Sequence, residues 1–218
     1  MQQAANETNQ MNSNRFQLAG QQAVALVSSL YVSAQILADV ASLRIVNVGG
    51  LSIDGGTFVY PFTFTLRDMV HKVAGVTTAR LLIVVAAVVN LVMALLFLLV
   101  GSLPPDMAVG VQTEFVAVLS PVWRIVVASI VAEMISEFID GEVYQRWVNR
   151  FAHRYQWARV LSSNAVSVPI DSVLFSLIAF GGALPWAVVG AIALSNVLIK
   201  GGVTLISMPW IYLVRGRH

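Results

Sequence analysis

Apolar residues run along this chain in long blocks, not in the strict alternation of exposed strands. The blocks place six membrane-crossing helices near residues 23–46, 58–74, 79–100, 116–143, 163–186 and 188–214. Only the third, "LLIVVAAVVNLVMALLFLLV", is apolar nearly all round, with Asn90 as its one strongly polar residue. The others carry polar residues at spacings of three and four, which puts them on one helical face. These stripes are Ser28, Tyr31, Gln35, Asp39 and Ser42; Ser129, Glu133, Ser136, Glu137 and Asp140; Asn164, Ser167 and Asp171; and Asn196, Lys200 and Ser207. Loops are marked by "NVGGLSIDGG", "GSLPPDMAVG" and the basic run from Arg146 to Arg159. The pattern predicts an all-α integral membrane protein with one six-helix membrane domain over 23–214. Residues 1–22, rich in Asn and Gln, read as a disordered polar tail and not a signal peptide, and 215–218 as a short basic end.

Composition sharpens this picture. The chain is 57% hydrophobic and 11% charged, whereas soluble domains carry about a quarter charged residues. It has no cysteine, which excludes disulfides and thiolate metal sites. His71, His153 and His218 show no ligand spacing, so neither a metal nor a cofactor is expected. With an even number of spans both termini share one side, and Arg15, Lys72, Arg80, Arg146, Arg150, Arg154, Arg159, Arg215 and Arg217 fall there. The opposite loops hold Asp54, Asp106 and Glu114 but no Lys or Arg. Basic residues gather in cytoplasmic loops, so both termini are expected in the cytoplasm and the chain in the cytoplasmic (inner) membrane. The same reading makes the basic loop a topological signal and gives no nucleic-acid partner.

Ten charges remain inside the predicted spans: Asp39, Arg44, Arg67, Asp68, Arg124, Glu133, Glu137, Asp140, Asp171 and Lys200. Each costs about 2.5–3.5 kcal/mol at a helix centre facing lipid. Their sum would exceed a whole domain's stability of about 5–15 kcal/mol, so they are expected to face one another or water. At ~1.5 Å rise per residue, Lys200 sits roughly 21 Å from Trp186 and from Arg215, near mid-depth. Asp68, Glu133 and Asp171 fall at a similar level on three other helices, which is the signature of a shared pocket. Glu137 and Asp140 lie nearer the cytoplasmic end and are expected in structural pairs with Arg146 or Arg150. Asp39 and Arg44 do not share a face, so each is expected to pair across helices. Asp171 with Lys200 reads either as part of the pocket or as a structural ion pair. The six acids exceed the four bases, and an acid-rich pocket favours a solute that offers donors or positive charge.

Four segments resemble the queuosine precursor transporter family, also called the vitamin uptake transporter (VUT) family. "YPFTFTLRDMVHKVAGVTTAR" (Tyr60–Arg80) is similar to its FPxxFxxxDxxxxxxG…AR signature. "RIVVASIVAEMISEFIDGEVYQRW" (Arg124–Trp147) resembles its R…AS…D-x-x-V-F/Y motif. "DSVLFSLIAF" is similar to its S/D-D-[ST] helix, and "NVLIKGGVTLISMPWIYLV" to the helix with a mid-span Lys followed by a Pro. Tyr60 stands where Phe is usual, and Arg67 where a small polar residue is expected. The resemblance implies six helices similar to the substrate-binding subunits of energy-coupling-factor importers. It also implies uptake of deazaguanine precursors of queuosine, the cyano and aminomethyl forms. Asp68, Arg124, Asp140, Asp171 and Lys200 are the polar positions it carries across.

The chemistry points the same way. A guanine-like edge presents a ring N–H beside an amino group, a donor pair that one carboxylate accepts bidentately. Glu133 or Asp171 is the expected acceptor, with Asp68 on the other side of the pocket. Lys200, or else Arg124, would donate to the ring carbonyl, and Asn196 could do either. Phe62, Phe64, Tyr31 and Phe175 are the candidates to stack on the flat base. No G-x-x-x-x-G-K-[ST] occurs, so the chain has no ATPase of its own; the alternative is a binding subunit of a larger importer. The absence of G-x-S-x-G, H-E-x-x-H and cysteine argues against an intramembrane enzyme. Ala34-x-x-x-Ala38 would permit the close helix contact of a homo-oligomer.

Overall fold

The computed structural model describes residues 2–151 and 156–207, with some side chains within helices outside that description. Among the described residues seven α-helices follow in order: α1 (Gln2–Ala41), α2 (Tyr60–Ala74), α3 (Val76–Ser102), α4 (Thr113–Leu119), α5 (Val122–Phe151), α6 (Gln156–Phe180) and α7 (Trp186–Ser207). Four stretches among the described residues are long and apolar enough to cross a membrane: Gln21–Ala41, Thr77–Ser102, Thr113–Ser136 and Trp186–Val203. Asn164–Phe180 is a shorter apolar helix. The predicted fourth span is two helices, α4 and α5, because Pro121 has no N–H to continue the ladder. α1 is helical back to Gln2, through the stretch expected to be a tail. Extending an existing helix is far easier than nucleating one, and Gln and Ala are good helix formers.

One expectation is corrected outright. The loop "NVGGLSIDGG" and the two residues before it form an antiparallel hairpin, β1 (Ile45–Val48) with β2 (Leu51–Asp54), in register Ile45↔Asp54 to Val48↔Leu51. Gly49 and Gly50 form the two-residue turn with φ of 61° and 87°, the left-handed geometry that such a turn requires. The fold is therefore helical with one small hairpin, and a 3-10 turn (Gly55–Phe58) leads from that hairpin into α2.

The packing inverts that of a soluble protein. On α3, Ala79, Leu82, Ala86, Asn90 and Ala94 form one buried stripe at spacings of three and four, and three of the five are alanine. Leu81, Val84, Val88, Leu95 and Leu99 point outward and are exposed. Small residues let backbones approach where lipid offers no hydrophobic drive for association, and the large aliphatics face the acyl chains. Facing α6 and α7 likewise bury Ser172, Ser176, Ala179, Val189, Ile192 and Ser195. α6 packs against both α5 and α7, and β2 packs against α7. The hairpin is thereby folded back onto the helices at the end of α1.

Candidate functional site: a buried acidic chamber

The 3-10 turn is placed by sequence features that act together. Asp54 caps it: Oδ1 accepts from the Thr57 N–H at 3.2 Å and from Ser42 Oγ, just past the end of α1, at 2.9 Å, and Oδ2 accepts from Thr57 Oγ1 at 2.8 Å. A side chain at Gly55 would overlap the carbonyl of Ala41, and one at Gly56 would overlap Ser42 Oγ and the Ala38 carbonyl. Two glycines thus allow the turn to press directly on the last helical turn of α1. Thr57 Oγ1 also lies 2.6 Å from the Asn196 amide of α7. A hydroxyl has one proton, so both contacts are met when Thr57 donates to Asp54 and receives from the Asn196 NH2.

Around this turn lies a chamber lined, among the described residues, by six elements. α1 and the residue just after it supply Ala38, Asp39 and Ser42; the turn region supplies Asp54, Gly56 and Thr57; α2 supplies Tyr60. α5 supplies Ser129 and Ala132, α6 supplies Asp171 and Phe175, and α7 supplies Asn196 and Lys200. Lys200 Nζ is hydrogen-bonded to Asp171 Oδ2 and sits 4.6 Å from the centroid of the Tyr60 ring, a cation–π contact. Both members of the pair are buried. Ser129 Oγ donates to Asp39 Oδ1 at 3.1 Å. Three lining carboxylates against one ammonium give a formal −2.

The walls enclose ≈ 350 Å³ of empty space, openings to solvent included, yet the centre of a water molecule can occupy only ≈ 20 Å³ of it. One buried water needs about 10–15 Å³ on that measure. In this conformation the chamber admits about one water and no flat heterocycle. The chamber is thus polar and contracted in this conformation.

The chain matches the family described as "Putative vitamin uptake transporter" over residues 54–214. It belongs to that family. It is also 28% identical over 185 residues to the "Probable queuosine precursor transporter" of Bacillus subtilis (strain 168), covering 84% of this chain and 80% of that protein. No solved structure matches it. The molecule is accordingly a multi-pass membrane transporter and not an enzyme, and Asp54, where the family match begins, is the residue that caps the chamber's turn.

Of the side chains expected in the transporter's site, Asp171, Phe175, Asn196 and Lys200 meet in the chamber. Phe175 is fixed edge-on against Phe180, with ring centroids 5.8 Å apart. Four others are elsewhere. Glu133 does not line the chamber; its Oε1 lies 3.9 Å from Arg67 Nη1. Arg67, which departs from the family pattern, thus faces Glu133. Arg124 donates from Nη2 to the carbonyls of Ile178 at 3.1 Å and Gly181 at 2.8 Å, so it caps the C-terminal end of α6, where a cation suits the helix dipole. Phe62 is 65% exposed and points away from the bundle. Tyr31 is packed with Val70, Ala79 and Leu82 between α1, α2 and α3, its hydroxyl receiving a hydrogen bond from Gln35.

The side chains of Phe64, Asp68, Glu137 and Asp140 lie outside the described residues. Asp39 and Arg44 are not in ion pairs among the described residues: Asp39 is buried in the chamber, and Arg44 is exposed at the start of the hairpin. Six polar chamber residues were not foreseen in a binding role: Asp39, Ser42, Asp54, Thr57, Tyr60 and Ser129. The signals were present, since Asp39 and Ser129 belong to polar stripes and "DGGT" is a capped turn. Assigning Asp54 to an outer loop hid the rest.

Proposed function

We propose that this transporter imports deazaguanine precursors of queuosine, the cyano and aminomethyl forms, across the cytoplasmic membrane. In this reading six helices cross the bilayer with both termini in the cytoplasm. The observation that carries it is the chamber, where carboxylates, an ammonium, an amide and two aromatic rings from six elements converge in an otherwise apolar bundle. A deazaguanine matches that set: its N–H and amino donors suit a carboxylate, its ring carbonyl suits Lys200 or Asn196, and its flat face suits Tyr60 and Phe175. The name of the Bacillus subtilis relative supports the same solute class.

Import requires the contracted walls to part. α6 carries Pro169 two residues before Asp171, and α7 carries Gly201 and Gly202 directly after Lys200. Proline removes a helical hydrogen bond, and glycine weakens a helix by about 1 kcal/mol relative to alanine. The two helices that hold the ion pair are therefore softest beside it. The test is uptake of labelled 7-cyano-7-deazaguanine into proteoliposomes containing the purified chain. Saturable uptake, competed by 7-aminomethyl-7-deazaguanine and not by an unrelated vitamin such as thiamine, is expected. Uptake equal to that of empty liposomes would refute the proposal.

A further inference from the structure

The three chamber carboxylates differ in how they are held. Asp54 receives hydrogen bonds from Ser42, the Thr57 amide and the Thr57 hydroxyl. Asp171 meets the Lys200 ammonium. Asp39 is 2% exposed; among the described residues it receives one hydrogen bond, from Ser129, and its Oδ2 accepts none. Buried acceptors left without donors are rare, and a bare carboxylate oxygen is among the most unfavourable of them. Asp39 is thus oriented by one hydroxyl, lines the chamber, and holds an acceptor site unused.

We infer that Asp39 reads the donor edge of the imported base, which rests on the deazaguanine reading above. Its Oδ2 takes an amino N–H, while Oδ1, which retains a second lone pair beside the Ser129 bond, takes the ring N–H. The two neighbouring donors then satisfy one carboxylate in a single planar contact. The role moves to Asp39 from Glu133, which faces Arg67, and from Asp171, which holds Lys200. Ser129 becomes a positioning residue that sets the carboxylate plane.

The chemistry provides a switch. Asp39→Asn replaces one acceptor by a donor, so the side chain now complements an edge with a ring N–H beside a carbonyl. The experiment compares binding of 7-cyano-7-deazaguanine and its 2-oxo counterpart, 7-cyano-7-deazaxanthine, to the purified full chain in detergent by calorimetry. The wild type should prefer the 2-amino compound. In Asp39→Asn that compound should weaken roughly ten- to hundredfold, and the 2-oxo compound should gain by a comparable factor. An unchanged preference, or equal loss of both ligands, would overturn the inference.

Should Asp39→Asn not purify as a folded protein, Ser129→Ala carries the test. It should bind the 2-amino compound severalfold more weakly with the order of preference kept, and unchanged affinity overturns the assignment. A wild type that binds neither compound refutes the deazaguanine reading itself. A wild type that binds, beside a variant that does not invert, refutes Asp39 alone.

Discussion

The two sides of the chamber handle buried charge in opposite ways. On the α6–α7 side, Asp171 and Lys200 neutralise each other. On the α1 side, Asp39 has a single hydroxyl for company. Removing one member of a buried pair strands the other, whereas a half-satisfied carboxylate is already stranded and improves when a donor arrives. The first arrangement ties two helices together, and the second leaves one wall receptive.

The largest effect is expected from breaking the pair. Lys200→Met leaves Asp171 buried without its ammonium and should cost about 3–5 kcal/mol, read as a lowered unfolding midpoint in detergent. The double variant Asp171→Leu with Lys200→Met should recover most of that stability, because apolar replacement of a whole buried pair is often neutral. It should remain without uptake. A single variant as stable as the wild type would show that the pair ties nothing, and the contrast between the two walls would disappear.

The turn that joins the walls comes next. A β-carbon at Gly56 would overlap Ser42 Oγ and the Ala38 carbonyl, one turn from Asp39. Gly56→Ala should therefore push the 3-10 turn off α1 at a cost of about 1–3 kcal/mol, the range for overpacking a filled site. Uptake should fall more than stability does, since the shift also moves Asp54 and Thr57. Equal uptake in Gly56→Ala and the wild type would mean that the turn does not shape the chamber.

Much of this architecture was legible in the sequence, for identifiable reasons. The polar stripe Tyr31, Gln35 and Asp39 is buried on α1, with Ser42 just past its end, because a period of three and four allows only one face to escape lipid. The near-uniform apolarity of α3 likewise announced a helix facing lipid on most of its surface. The hairpin was not legible because its strands are four residues each, too short to display alternation. Its Gly49–Gly50 turn was the better signal. Arg124 could not be assigned from sequence at all, since its acceptors are backbone carbonyls of another helix and carry no residue identity. Asp171 and Glu133 were indistinguishable by depth. Only the rotation of α5 and α6 about their axes decides which of the two enters the chamber.

Glu133 therefore offers the sharpest small test of the comparison. It is a further carboxylate, outside the chamber; its side chain is 19% exposed and its contact with Arg67, itself 26% exposed, is 3.9 Å long. At that exposure and length the pair is loose, and such pairs contribute about 0–1 kcal/mol. Glu133→Gln should change the unfolding midpoint little and leave uptake of 7-cyano-7-deazaguanine close to wild type. Asp39→Asn, which also removes one carboxylate, should by contrast alter which base is bound. A large loss of uptake in Glu133→Gln, with stability unchanged, would return Glu133 to the solute path and make α5, not α1, the receptive wall.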